Sequence, residues 1–141
     1  MRKGEFILAA ALIVSNEGKM LLVRKKGTQR YMLAGGKIEK GETPIDALIR
    51  ELEEELSFTV TKEALTPLGQ YEAEAANEPD YTIRSNLFLL PIEEHPFTPN
   101  AELEEVIWVD EEEAKRLPLA PMIETHVIPE WRRFKLRNHS H

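Results

Sequence analysis

Glu51, Glu54 and Glu55 stand at i, i+3 and i+4 in the segment Arg50-Glu51-Leu52-Glu53-Glu54-Glu55-Leu56. On a helix this spacing puts three carboxylates on one face within about a turn of one another, where like charges repel. A face selected only for solubility would interleave Lys or Arg with Glu, yet Glu51 to Glu55 offers four acids and no base. A divalent cation between the carboxylates relieves the clash, because Mg²⁺ is a hard ion that prefers carboxylate oxygen, water and phosphate. The chemistry open to such a group is that of a hard divalent cation, which inverts the local sign and makes an acidic site attractive to phosphate. The competing reading is a solvated acidic face, the commoner meaning of an isolated E-x-x-E-E.

A helix must carry these acids, and its boundaries are legible. Thr43 suits the N-cap, Pro44 the first helical position, and Asp46 the third position of a capping box. The helix is expected from Pro44 to about Leu56. Ile45, Leu48, Ile49, Leu52 and Leu56 form its apolar stripe, so one face packs on a sheet and the opposite face is acidic.

The remaining elements follow from apolar runs and turn residues. Phe6 to Val14 and Met20 to Lys25 read as a hairpin around Asn16-Glu17-Gly18. Tyr31 to Ala34 is a short extended piece ending at Gly35-Gly36, where the backbone can turn sharply or approach a ligand, and Lys37 to Glu42 is a polar loop. Leu68 to Ala75 and Tyr81 to Leu90 are longer strands around Asn77-Glu78-Pro79-Asp80, and Glu105 to Val109 is a last short strand. Asp110-Glu111-Glu112 opens a helix, and a C-terminal helix from about Pro121 is interrupted or ends near Pro129. Hairpins around an intervening helix predict an α+β fold, a mixed β-sheet sandwiched between helices, rather than a doubly wound parallel one.

A length of 141 residues fits one domain, expected over residues 1–136, with Arg137 to His141 as a disordered tail. The chain has no cysteine, which removes disulfides, thiolate nucleophiles, Cys-type zinc sites and iron–sulfur clusters. A net charge of -7 argues against a nucleic-acid polymer as partner, although a divalent cation in an acidic cleft still makes a small phosphorylated ligand welcome. Arg2 and Lys3 before Phe6 to Val14 resemble the start of a signal peptide, but no small-x-small cleavage site follows and the run reads as a buried strand. No stretch approaches the ~18 apolar residues of a membrane span, and a cytoplasmic location is expected. A homodimer is compatible with the sequence, which fixes no oligomeric state.

From Gly36 the chain reads Gly36, five residues, Glu42, seven residues, then Arg50-Glu51-Leu52-Glu53-Glu54-Glu55-Leu56-Ser57-Phe58. This resembles the Nudix box, G-x5-E-x7-R-E-U-x-E-E-x-G-U with U a bulky apolar residue, at every defining position but one. Ser57 stands where the family has Gly, at the end of the helix, so a strained cap or a shifted turn is expected there. Ala34, where Pro is common, is a softer departure.

The resemblance implies a Nudix-type α/β/α sandwich and a Mg²⁺- or Mn²⁺-dependent hydrolase that cleaves a diphosphate linkage in a nucleotide. It implies Glu51, Glu54 and Glu55 as metal ligands, the Gly36 carbonyl as a further oxygen, and Arg50 as an orienting group paired with Glu42. An Arg50 pairing with Asp46 is the plain alternative. The resemblance also places a general base on the segment before Trp108, with Glu102 the first choice and Glu105 the second; Glu55 itself serves in some members. Among substrates, size favours a (deoxy)nucleoside triphosphate pyrophosphohydrolase, with an ADP-ribose or nucleotide-sugar pyrophosphatase and a non-catalytic Nudix-fold nucleotide sensor as alternatives. Arg24, Lys37 and Tyr31 are the candidate substrate-binding side chains.

Overall fold

The computed structural model describes residues 4–139. Six strands, β1 (Gly4–Ser15), β2 (Met20–Lys25), β3 (Ala34–Lys37), β4 (Thr66–Glu74), β5 (Tyr81–Ile92) and β6 (Leu103–Val109), form one mixed sheet. Its order is β4-β5-β1-β2-β6, with β3 also paired to β1. The β1–β5 pairing is parallel, and the others are antiparallel. This is the expected α+β sandwich.

β1 is apolar without interruption from Phe6 to Val14, and from Ala9 onward both of its faces are covered, whereas Ile7 is exposed. Ala9, Ala11 and Ile13 pack with Leu48 and Leu52 of α1 (Pro44–Leu56). Leu12 and Val14 pack on the other side with Ile123, Val127 and Trp131. The second layer is completed by α2 (Glu111–Lys115), whose Asp110 and Glu113 form a reciprocal capping box, and by α3 (Ile128–His139).

Three expectations need correction. Gly35, Gly36 and Lys37 do not turn but continue as β3, with Gly36 opposite Ala9 and Gly35 opposite Ala10. Pro129 neither ends nor breaks the last helix. Ile123–Val127 widens into a π-helical turn in which Ile128 donates to the Ile123 carbonyl, so the missing N–H of Pro129 falls where the bonding pattern is already out of step. The helix then runs on to His139, taking in Arg137, Asn138 and His139 of the expected tail; the last two residues, like Met1 to Lys3, lie outside the described residues. No helix among the described residues is long and apolar enough to cross a membrane.

Trp131 anchors this layer. It is fully buried, and its indole N–H donates to the Gly18 carbonyl at 2.8 Å, tying the helix to the β1–β2 turn. Trp131→Ala is expected to cost about 3–5 kcal/mol, read from urea unfolding followed by circular dichroism.

Candidate active site

The start of α1 fixes the acidic face in rotation. Thr43 Oγ1 accepts from the Asp46 N–H at 3.2 Å, as a cap should. The Asp46 carboxylate accepts from the Thr43 hydroxyl at 2.8 Å, a bond between side chains in place of the return bond to the backbone. At the other end Ser57 adopts the left-handed conformation itself, φ 54° and ψ 36°, and its N–H reaches back to Glu53. The turn is therefore not shifted. The Ser57 hydroxyl accepts from Asn100 Nδ2 at 2.7 Å and the Asn100 N–H donates to the Glu55 carbonyl, docking the loop that leads to Glu102 on the end of the helix.

Arg50 organises the loop before α1. It donates to both Glu42 oxygens, from Nε at 2.8 Å and from Nη2 at 3.0 Å, to Glu51 at 3.2 Å and to the Lys37 carbonyl at 3.2 Å. The bidentate bond from Arg50, helped by the Glu39 N–H, holds the Glu42 carboxyl down to about 2. Asp46 faces Lys62 at 3.4 Å, so the plain i−4 pairing with Arg50 is not formed.

Glu55 is the unusual acid. It is 2% exposed, and its Oε1 accepts the Gly35 N–H at 3.0 Å. Burial pushes its carboxyl up to about 8, and the charges of Glu51 and Glu102 add to the rise against the Gly35 bond and Lys25. Glu51 is also raised, by burial first and then by Glu54 and Glu102, with Arg50 opposing. Gly36 permits this crowding, because a Cβ there would strike the Glu51 carboxylate.

The donor set suits a hard divalent cation: several carboxylates that disfavour one another's ionisation, a glycine strand leaving room beside them, and no sulfur. The side chains are nonetheless turned to protein partners, Glu51 to Arg50 and Glu55 to Gly35, and no three His, Asp or Glu among the described residues already stand at a metal-holding spacing. A cation held by these acids would require their carboxylates to swing toward one another.

The two candidate bases are separated. Glu102 is exposed, 3.4 Å from Lys25 Nζ, and its charge is felt by Glu51 and Glu55. Glu105 accepts from the Tyr31 hydroxyl at 2.7 Å and from Arg24 Nε at 2.8 Å, bonds that hold its carboxyl below the usual range. That trio also occupies two of the three candidate substrate-binding residues. Lys37 alone of them lines the cavity beside the acids, with its Nζ 4.3 Å from the Phe6 ring centre.

That cavity, about 110 Å³, passes from Glu55, Gly35 and Gly36 to an apolar wall that includes Met32, Ile83 and Met122. The side-chain-free pair Gly35-Gly36 within β3 lets Glu55 of α1 reach this space. Sequence reading did not find this wall, since Met122 and Ile123 join it only through the path of the last helix.

A NUDIX domain family model matches residues 5–130. The chain belongs to the NUDIX family. It is a Nudix hydrolase, and its sandwich is the fold of that family. It is 31% identical over 122 residues to the CTP pyrophosphohydrolase of Escherichia coli (strain K12), covering 83% of this chain and 85% of that protein. A second relative, the ADP-ribose pyrophosphatase of Bacillus subtilis (strain 168), is 42% identical over 57 residues, 38% of this chain and 31% of that one. The crystal structure of a MutT protein from Methanosarcina mazei Go1 superposes with a TM-score of 0.73 at 21% identity, over 99% of both chains. At that identity the likeness carries the fold alone.

Proposed function

We propose that this Nudix hydrolase cleaves a phosphoanhydride bond of a nucleoside triphosphate, releasing pyrophosphate and a nucleoside monophosphate. The observation that carries the reading is the continuity between the acid cluster and an apolar cavity through Gly35-Gly36. An acidic site alone would suit any phosphate; a cavity beside it gives the base a place. The relative matched along most of the chain is named for CTP, whereas the one named for ADP-ribose matches a much shorter stretch, which favours the triphosphate.

In this reading Glu51, Glu54 and Glu55, with the Gly36 carbonyl and Glu102, hold Mg²⁺ or Mn²⁺. The bound cation supplies charge neutralisation on the phosphates and a lowered pKa for the attacking water. Arg50 keeps the loop Lys37–Glu42 on the helix and sets the Glu51 carboxylate. Lys37 meets the phosphate chain at the cavity mouth. Glu102, unencumbered by tight hydrogen bonds, takes the proton from water, while Glu105 fixes Arg24 and Tyr31.

A screen of nucleoside triphosphates, damaged nucleotides, nucleotide sugars and dinucleotides with Mg²⁺ or Mn²⁺, with product analysis in H₂¹⁸O, tests the reading. Turnover of a triphosphate that stops with EDTA is expected. Glu54→Gln and Glu102→Gln should each lower kcat roughly 10²- to 10⁴-fold, and Glu105→Gln far less. Absence of turnover on every compound, or equal losses in the Glu102 and Glu105 variants, would count against it.

A further inference from the structure

Ser85 sits on β5 between Leu8 of β1 and Tyr71 of β4. It is 1% exposed, and its hydroxyl has no hydrogen-bond partner. Two residues away on the same face, Ile83 and Leu87 belong to the apolar layer under the C-terminal helix, so strand alternation calls for an apolar side chain at this position. A buried hydroxyl left unpaired forfeits its bonds to water for nothing in return, and an alanine would fit the same space.

The residue borders a space that a partner can enter, one side-chain adjustment away from the closed hydroxyl. Ser85 lines the cavity that also holds Glu55, Gly35 and Gly36, and the other side chains of that lining are either apolar or charged. Charged groups such as Lys37 and Glu55 suit phosphates and cations. A neutral hydroxyl, donor and acceptor at once, suits the edge of a heterocycle carrying a carbonyl, an amino group or a ring nitrogen. An apolar slot separates bases of similar shape only weakly, whereas a single buried hydrogen bond separates them strongly, because a wrong ligand leaves the group unpaired.

We infer that the Ser85 hydroxyl hydrogen-bonds the base edge of the bound nucleotide and sets which bases this enzyme prefers. The inference rests on the triphosphate reading above and adds to it the residue that reads the base.

Ser85→Ala is the test, because structure and function should move in opposite directions. The Tm of the metal-free variant should equal or exceed that of the unaltered protein, since the substitution removes an unpaired group. With Mg²⁺ and the natural ribo- and deoxynucleoside triphosphates, kcat/KM for the preferred base should fall roughly 10- to 100-fold, chiefly through KM. The poorest bases should lose much less, so the spread of preferences contracts. A lowered Tm would mean that the hydroxyl is bonded within the protein, and an equal loss or no loss across all bases would mean that it reads none of them; either overturns the assignment. If the unaltered protein hydrolyses no triphosphate, the functional reading fails and this inference with it, a result distinct from turnover whose preferences ignore Ser85.

Discussion

Replacing Glu55 by Gln is expected to make the metal-free protein more stable near pH 8 while removing most of its hydrolase activity. The buried Glu55 carboxyl titrates at about 8 in the folded chain, against an ordinary value of 4.5. Between those values the folded protein retains a proton that the unfolded chain has released, so raising the pH favours unfolding. The contribution of Glu55 to metal-free stability therefore declines from about pH 4.5 to about pH 8 and is flat above that. Its size at the alkaline end is on the order of a few kcal/mol. Gln can still accept the Gly35 N–H and never ionises, so the variant lacks the decline. Unfolding curves in EDTA from about pH 4 to about pH 9, values bracketing that window, should diverge progressively, and parallel curves would refute the argument. Added Mg²⁺ should restore stability to the unaltered protein and do little for the variant, since only a ligand that binds the folded state stabilises it. Glu42 acts in the opposite window. Held down to about 2 by Arg50, it stabilises the fold above its ordinary value of 4.5, and that support is lost as the pH falls toward 2.

What the sequence disclosed and what it concealed divide along physical lines. The start and end of α1, its apolar stripe and the Arg50–Glu42 pair were readable because each depends on residues within about two turns of helix, where spacing alone fixes proximity. Glu102 and Glu105 could be ranked by resemblance but not told apart by chemistry, being acids three positions apart at the start of the expected last strand. The structure parts them through register: the β2–β6 ladder shifts between Arg24 and Lys25, which sets Glu105 opposite Arg24 and leaves Glu102 outside the strand beside Lys25. Arg24 and Tyr31 were candidate substrate-binding residues in the sequence, which does not show that both bond Glu105, 81 and 74 positions away in the chain. Ser85 did leave a trace, a hydroxyl in the buried phase of an otherwise apolar alternation, but alternation cannot tell an unpaired hydroxyl from one bonded to a neighbour. The continuation past Pro129 was hidden for a similar reason. Proline forbids one backbone bond, and only the packed helix shows that a π-helical turn makes that bond dispensable.

The two adjacent glycines of β3 should respond very differently to the same methyl group. Gly35 has φ 145°, and a Cβ there would meet the carbonyl oxygen of Ala9 and the Cα of Ala10. Both obstacles are backbone atoms of the central strand, which cannot move without opening the β1–β3 pairing, and the conformation itself disfavours an L side chain. Gly35→Ala is thus expected to lose roughly 2–5 kcal/mol of stability, from left-handed strain and overpacking together. At Gly36 the obstacle is the carboxylate end of Glu51, a flexible side chain that can swing aside. Gly36→Ala should therefore cost about 1 kcal/mol or less in stability, yet lower kcat roughly 10²-fold, because a catalytic group misplaced by about an ångström costs that much. Paired measurements of Tm and kcat/KM on the two variants separate the cases. Should Gly36→Ala unfold as readily as Gly35→Ala, or retain full activity, then the missing Cβ at Gly36 serves the sheet and not the Glu51 carboxylate. The expected split instead places the fold on the first glycine and the chemistry on the second, and it would account for a two-glycine stretch of β3 lying between the acids of α1 and the cavity beneath the last helix.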